Sequence, residues 1–206
     1  MAGRTPREVA LLALSACAGQ GAWSDGFLKK ALREARLDGR DAGLATRLCF
    51  GVLQNRLLLD FYLSQLCTMK LERLEEKVLE CLRLGAYQIL YLDRVPDSAA
   101  VNESVALARR YAKNPRAAGL VNGVLRNLTR QKAHLPKPPS DALRYSHPDW
   151  LAELFAARLG EEGARRLMEA DNTPPPTCAQ VNTCRFTAAQ VRECLEAQGV
   201  EAVPHP

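Results

Sequence analysis

Apolar residues recur every three or four positions along most of the chain up to Ala133, and this spacing constrains the fold more than any other feature of the sequence. Val121, Val124, Leu125 and Leu128 show it most clearly. At about 100° per residue these four side chains form a single stripe along a helix. No segment before Ala133 alternates with the two-residue period of a half-buried strand. The sequence therefore predicts an all-α bundle of about seven helices.

Capping residues and prolines predict where the helices begin. Thr5 can cap the first helix, Pro6 suits its first position, and Glu8 completes a capping box. Gly39 predicts the end of the second helix, and Gly85 marks a place in the fifth where another helix could cross closely. The seven predicted helices begin near Thr5, Ser24, Asp41, Leu57, Leu74, Ser98 and Asn114.

The pattern changes after residue 133. Leu135–Ser140 is rich in proline and predicts a linker, which is followed by two short amphipathic helices, Asp149–Leu159 and Glu161–Ala170. After a second proline break at 172–176, a predicted strand (177–182), helix (187–198) and strand (200–203) form an incomplete β-α-β unit. The expected organisation is a helical domain (1–133), a linker with two helices (134–173) and an incomplete α/β, RRM-like module (174–206).

The charge distribution points to an acidic partner. The segment from Ser104 to Ser140 contains no Asp or Glu but eight Lys or Arg residues, in a chain with a net charge of only +5. A single-sign block on helix-forming sequence is typical of nucleic-acid binding, although each basic residue taken singly could belong to a solvated helix face. The candidate nucleic-acid-binding residues are Arg4, Arg7, Lys113, Arg116, Asn122, Arg126, Arg130 and Lys132.

Two glycines and an asparagine share the polar face of the seventh helix. Gly119 and Gly123 are unfavourable inside a helix, by up to about 1 kcal/mol each relative to Ala. Either a phosphate or another chain approaches the bare backbone there, or a neighbouring helix of the same domain packs on it. Asn122 could contact a base or a sugar, or it could cap a neighbouring helix.

Other classes of site have little support. The seven cysteines include no C-x-x-C pair and the three histidines are scattered, so no metal site is expected. Most of the cysteines stand among apolar neighbours, as small buried hydrophobes do in a reducing compartment. The sequence has no apolar run long enough to span a membrane and no signal peptide, and we expect a cytoplasmic protein.

Several strings resemble known proteins. Residues 1–133 resemble the NusB-like RNA-binding domain, and two further strings look like the N-terminal half of the RsmB/Sun proteins, a family of ribosomal RNA methyltransferases. The NusB-like resemblance rests on the Arg4–Ala10 lead, the Val95-Pro96 turn with Val101–Ala108, and Leu120–Arg126. The RsmB/Sun resemblance rests on Leu48–Leu53 and Arg144–Leu151.

The resemblance implies a function and also a limit. Full-length RsmB/Sun enzymes transfer a methyl group from S-adenosylmethionine to C5 of a cytosine in small-subunit ribosomal RNA. The glycine-rich cofactor loop and the Pro-Cys motif of that family are absent from this sequence, so it offers no catalytic or cofactor-binding residue, and we expect no methyl transfer by this chain alone. The unfinished β-α-β unit agrees with a family member interrupted inside its α/β module.

These observations leave three functional hypotheses. The first is an RNA-binding N-terminal portion that positions small-subunit ribosomal RNA for a methyltransferase domain elsewhere. The second is a stand-alone NusB-like antitermination factor, for which residues 134–206 would be superfluous. The third is a protein-interaction module that uses the glycine-marked face, with the missing methyltransferase domain or another protein chain as its partner.

Overall fold

A computed structural model describes residues 4–20, 24–174 and 177–204, in which ten α-helices and two short 3-10 turns form. The chain divides into a first compact unit, Met1–Asn172, and a second, Thr173–Pro206. The all-α bundle expected up to Ala133 is confirmed. The helices are α1 (Pro6–Gln20), α2 (Ser24–Ala35), α3 (Gly39–Gln54), α4 (Arg56–Leu66), α5 (Glu76–Tyr91), α6 (Asp97–Tyr111), α7 (Ala117–Gln131), α8 (Asp141–Arg144), α9 (Asp149–Asp171) and α10 (Ala188–Ala197).

Helix α5 lies at the centre of the first unit. It packs against α1, α3, α4, α6 and α7, and most of its residues are buried. The close crossing expected at Gly85 is confirmed, because a β-carbon there would lie 2.3 Å from Leu125 Cδ1 and 2.8 Å from Ser104 Oγ. The missing side chain lets α6 and α7 approach α5 together, and this sets the position of α7 at the surface.

The helix starts follow local capping chemistry, with one correction. At α1 the Thr5 N–H donates to Glu8 Oε2 at 2.8 Å and the Glu8 N–H donates to Thr5 Oγ1 at 3.2 Å, so the capping box is confirmed. The prediction that Gly39 ends the second helix is wrong, since Gly39 is the first residue of α3. Asp38 decides this, because its Oδ1 accepts the Asp41 N–H at 2.7 Å and so caps α3, which begins two residues earlier than expected.

The two helices expected at 149–159 and 161–170 are the two arms of α9. Gly160 separates them with φ 71° and ψ 167°, a left-handed backbone that glycine adopts without strain. The four-residue helix α8 was not expected. A short 3-10 turn also follows α7 at Lys132–His134.

In the second unit the predicted helix is confirmed and the strands are not. Thr187 caps α10 through a complete capping box with Gln190, and Gly199 follows the helix at φ 75°. The prediction of strands at 177–182 and 200–203 is wrong for the described residues, none of which lies in a strand. Alternating apolar residues form a strand only when a neighbouring strand accepts and donates the backbone hydrogen bonds, and these two segments do not pair. Pro175 and Pro176, in the predicted second break, lie outside the described residues.

Among the described residues no helix is long and apolar enough to cross a membrane. The described residues also contain no group of three or more His, Cys, Asp or Glu side chains that could hold a metal ion.

Candidate nucleic-acid interface

The outward face of α7 carries two glycines near its start and two arginines further along. Val121, Leu125 and Leu128 are completely buried on the opposite face, which fixes the rotation of the helix. Gly119 and Gly123 are exposed near the start of the outward face, and Arg126 and Arg130 are exposed further along it. The helical stripe predicted from the sequence therefore presents these four residues to solvent.

The space beside the two glycines is open. A β-carbon on Gly119 or Gly123 would meet no atom within 4 Å in the described part of the chain. The interpretation that a neighbouring helix of the same domain packs on them is therefore wrong. The bare backbone remains available to a molecule outside this chain.

Asn122 organises an arginine instead of capping another helix. Its Oδ1 accepts a hydrogen bond from Arg126 Nε at 2.9 Å, one turn along α7. A neutral partner holds the guanidinium without cancelling its charge, and no described residue accepts a hydrogen bond from the Nη groups of Arg126, which can therefore donate to a ligand.

The basic candidates differ in whether a nearby carboxylate already pairs with their charge. Lys113, Arg116, Arg126 and Arg130 have exposed side chains and form no ion pair with any described carboxylate. Lys132 Nζ lies 3.6 Å from Asp97 Oδ1, and both groups are partly exposed. Exposed ion pairs contribute little stability, so an incoming phosphate could replace this carboxylate at low cost.

Arg4 and Arg7 belong to a different part of the surface. Arg4 Nη1 lies 3.7 Å from Glu34 Oε2 on α2. Arg7 Nε donates to Gln88 Oε1 at 2.7 Å, and because Gln88 is completely buried, the Arg7 side chain is tied to the core of the bundle. Arg4 is accordingly the freer of the two to meet a ligand.

Two of the basic candidates, Lys113 and Lys132, lie at opposite ends of α6. The backbone N–H of Lys113 donates to Glu75 Oε2 at 2.9 Å just beyond the end of α6, whereas Lys132 pairs with Asp97 at its start. With a rise of about 1.5 Å per residue, the two ends of this helix are about 21 Å apart. Arg116 directly precedes α7, and Arg126 and Arg130 lie further along that helix toward Lys132.

The surface near the end of α6 also brings together residues that the sequence analysis did not single out as candidates. The Tyr111 ring has Lys77 Nζ at 5.8 Å and the Arg110 guanidinium at 5.5 Å from its centroid. The buried carboxylate of Glu8 binds Arg110. Burial raises the pKa of the Tyr111 phenol, and the negative charge of Glu8 raises it further. Arg110 could have been found from the acid-free block, but Lys77 and Tyr111 come together only through the packing of α5 and α6.

Family comparisons agree with this architecture. The profile of the NusB family matches residues 4–130, and that of the RsmF/B-like methyltransferase ferredoxin-like domain matches residues 147–206. The chain therefore belongs to the NusB family, and its second match is the ferredoxin-like domain of the RsmF/B-like methyltransferases.

Two curated relatives are similar to the chain along most of its length. The chain is 32% identical over 200 residues to the probable ribosomal RNA small subunit methyltransferase B of Bacillus subtilis (strain 168), covering 95% of this chain and 44% of the relative. It is 33% identical over 174 residues to the ribosomal RNA small subunit methyltransferase B of Escherichia coli (strain SMS-3-5 / SECEC), covering 84% of this chain and 40% of the relative. The chain thus spans less than half the length of these relatives.

Solved structures share the fold. T. maritima NusB superposes with a TM-score of 0.57 at 26% identity, covering 64% of this chain and 91% of that protein. NusB in the crystal structure of the antitermination factors NusB and NusE with double-stranded RNA gives a TM-score of 0.56 at 21% identity, covering 61% and 93%. PH0851 gives a TM-score of 0.66 at 16% identity and covers 99% of this chain and 47% of that chain.

Proposed function

We propose that this chain binds small-subunit ribosomal RNA through the α7 face, as the RNA-holding portion of a cytosine-C5 methyltransferase that uses S-adenosylmethionine. The outward face of α7 carries the proposal, because it places two arginines that no described carboxylate neutralises beside an open stretch of backbone. The names of the curated relatives support small-subunit ribosomal RNA and methyl transfer, whereas cytosine C5 and S-adenosylmethionine come from the resemblance to the RsmB/Sun family. A ribosomal RNA target implies a cytoplasmic location.

In this proposal three segments divide the work. Residues 1–133 bind the RNA, residues 134–173 link this helical domain to the following module, and residues 174–206 begin the small α/β module. The chain itself supplies binding and orientation. S-adenosylmethionine and the catalytic groups would belong to a methyltransferase domain of the kind that the resemblance implies.

Affinity would come mainly from phosphate contacts. Lys113, Arg116, Arg126 and Arg130 are the principal candidates, because no described carboxylate neutralises them. Lys132 and Arg4 would also bind phosphate, once it displaces the surface carboxylates of Asp97 and Glu34 that pair with them. At Gly119 and Gly123 the bare helix allows a sugar–phosphate strand to come closer than it could over longer side chains.

A salt titration tests the phosphate contacts. Binding of a small-subunit ribosomal RNA fragment is measured at several salt concentrations for the native chain and for the double variant Arg126→Ala/Arg130→Ala. Losing two contacts should flatten the slope of log affinity against log salt by about 1.4–1.8. A matched control, Arg166→Ala/Arg192→Ala, removes two exposed arginines that are already paired with Glu162 and Glu196 and should leave the slope unchanged. Equal slopes in the native chain and the α7 variant would exclude the α7 face.

A second variant tests the glycines. Gly123→Gln adds a side chain into open space and improves helix propensity, so the fold should be kept. We expect weaker RNA binding with an unchanged salt slope, since no charge is removed. Unchanged affinity would show that the RNA does not approach this backbone, and the glycines would then point to a protein partner.

A further inference from the structure

Ser146 occupies a backbone position where glycine is usual. After helix α8 the His147 N–H donates to Ala142 O at 2.8 Å and the Ser146 N–H donates to Leu143 O at 3.2 Å, the hydrogen-bond pattern of a Schellman helix end. Ser146 has φ 60°, a left-handed conformation that its β-carbon disfavours. A serine in place of glycine is therefore unfavourable here unless its hydroxyl makes a compensating contact.

The hydroxyl makes that contact with a distant helix. Ser146 Oγ accepts the N–H of Leu57, in the first turn of α4, at 2.9 Å. Asn55, which precedes α4, makes no side-chain cap, because its Nδ2 donates backward to Gly51 O at 2.9 Å and closes α3 instead. The open N-terminus of α4 is thus capped by a residue 89 positions later in the chain.

The same turn holds the last residue of the first unit. Tyr145 O accepts from Asn172 Nδ2 at 2.7 Å, and His147 Nδ1 lies 2.9 Å from the same oxygen. Gln54 Nε2, at the end of α3, donates to Asn172 Oδ1 at 3.2 Å. Asn172 is therefore bound both to the turn and to the bundle at the point where the first unit ends.

We propose that Gln54, Leu57, Tyr145, Ser146 and Asn172 form an exit joint that fixes where the chain leaves the bundle. Ser146 and Asn172 are its positioning residues. This role rests on the proposed function, since a fixed exit matters only if the bundle holds a ligand for the segment beyond Asn172. The joint also gives a structural role to the Arg144–Leu151 segment, which is not part of the proposed RNA-binding surface.

Hydrogen exchange at the Leu57 amide tests the cap. Ser146→Gly removes the hydroxyl and relieves the backbone, so the variant should fold, and exchange at Leu57 should become about 5–30-fold faster. Ser146→Asn tolerates the left-handed backbone and restores an acceptor, so it should recover part of the protection. Ser64→Ala is the matched control, because among the described residues Ser64 Oγ bonds only within α4, donating to Phe61 O and accepting from Gln65 Nε2, and its loss should leave Leu57 unchanged. Native-like exchange in Ser146→Gly would overturn the cap.

Coupling between the two positioning residues tests the joint as a unit. Asn172→Ala should speed exchange at Leu57 through the Tyr145 turn, and the double variant Ser146→Gly/Asn172→Ala should be accelerated less than the product of the two single effects. Factors that simply multiply would show two independent contacts and no joint.

RNA titration of the same variants separates the two proposals. Ser146→Gly should keep the RNA affinity and salt slope of the native chain, because it leaves the α7 face unchanged. A loss of affinity like that of Arg126→Ala/Arg130→Ala would overturn the positioning role. If the native chain binds no ribosomal RNA, the proposed function fails, while the exchange results still decide whether Ser146 and Asn172 act together.

Discussion

Gly85 and Leu125 are so close that a β-carbon on the glycine would lie 2.3 Å from Leu125 Cδ1. Gly85→Ala should therefore destabilise the first unit by about 1–3 kcal/mol, even though alanine favours the helix. Urea unfolding measures the change. Gly123→Ala is the control, because its new methyl group enters open space and should stabilise by about 0.5–1 kcal/mol. Similar effects of the two substitutions would show that the α5–α7 crossing is looser than described.

Arg83 joins two carboxylates at the edge of the core. Its Nε and Nη2 donate to Asp60 at 2.7 and 2.6 Å, and its Nη1 donates to Glu80 Oε1 at 2.5 Å. Arg83→Met should destabilise by about 3–5 kcal/mol, because it leaves the buried carboxylate of Glu80 without its partner. Arg192→Met, which breaks an exposed pair with Glu196, should change stability by less than about 1 kcal/mol. Comparable losses in thermal or urea unfolding would contradict the burial of the Arg83 cluster.

The contribution of Glu80 to the stability of the protein should fall as the pH rises. Burial raises the pKa of Glu80 above its ordinary value, and the Arg83 guanidinium opposes this. As pH rises from the unfolded pKa through the raised folded pKa, the unfolded chain releases the proton first, so the contribution of Glu80 to stability falls. The stability of the native chain relative to Glu80→Gln should therefore decrease with pH across this window, as measured by urea unfolding at each pH. A constant or increasing difference would contradict the raised pKa.

The pKa of the Tyr111 phenol depends on the charge of the Glu8 carboxylate. Burial and the charge of Glu8 both raise the phenol pKa, so Glu8→Gln should lower it relative to the native chain. Glutamine can still complete a capping box, which keeps α1 formed. NMR titration with labelled tyrosine measures the change. The control Glu34→Gln removes the exposed partner of Arg4 and should leave Tyr111 nearly unchanged; an equal shift in both variants would point to a general charge effect instead of the Glu8 contact.

The thiols should separate into reactive and inert groups. Cys178, Cys184 and Cys194 are exposed, whereas burial raises the pKa of both Cys49 and Cys81 to about 12. A water-soluble disulfide reagent should therefore modify the three exposed thiols quickly in the native protein and reach all seven only after unfolding in guanidinium. Rapid native modification of Cys49 or Cys81, mapped by mass spectrometry, would contradict the packing of the core.

Part of the candidate site was predictable from the sequence. The apolar stripe of α7 and the block without acidic residues are local patterns, and together they predicted the outward Arg126 and Arg130. The compensation of the other charges was not predictable. Arg4 meets Glu34 and Lys132 meets Asp97 only because consecutive helices fold back against each other, which brings residues 30 and 35 positions apart into contact.

The sequence alone determined the elements whose stability is local. The Thr5 and Thr187 caps, the helical spacing and the glycine at residue 160 act within one or two turns, so their effects can be predicted without the fold. The tertiary structure decided every contact between segments far apart in the chain: the Gly85 crossing partner, the Arg83 cluster, the open space beside Gly123 and the capping of α4 by Ser146. It also decided that residues 177–182 form no strand, since a strand depends on hydrogen bonds from a neighbour. Packing brings these groups together, and the pattern of residues along the sequence does not indicate which of them will be in contact.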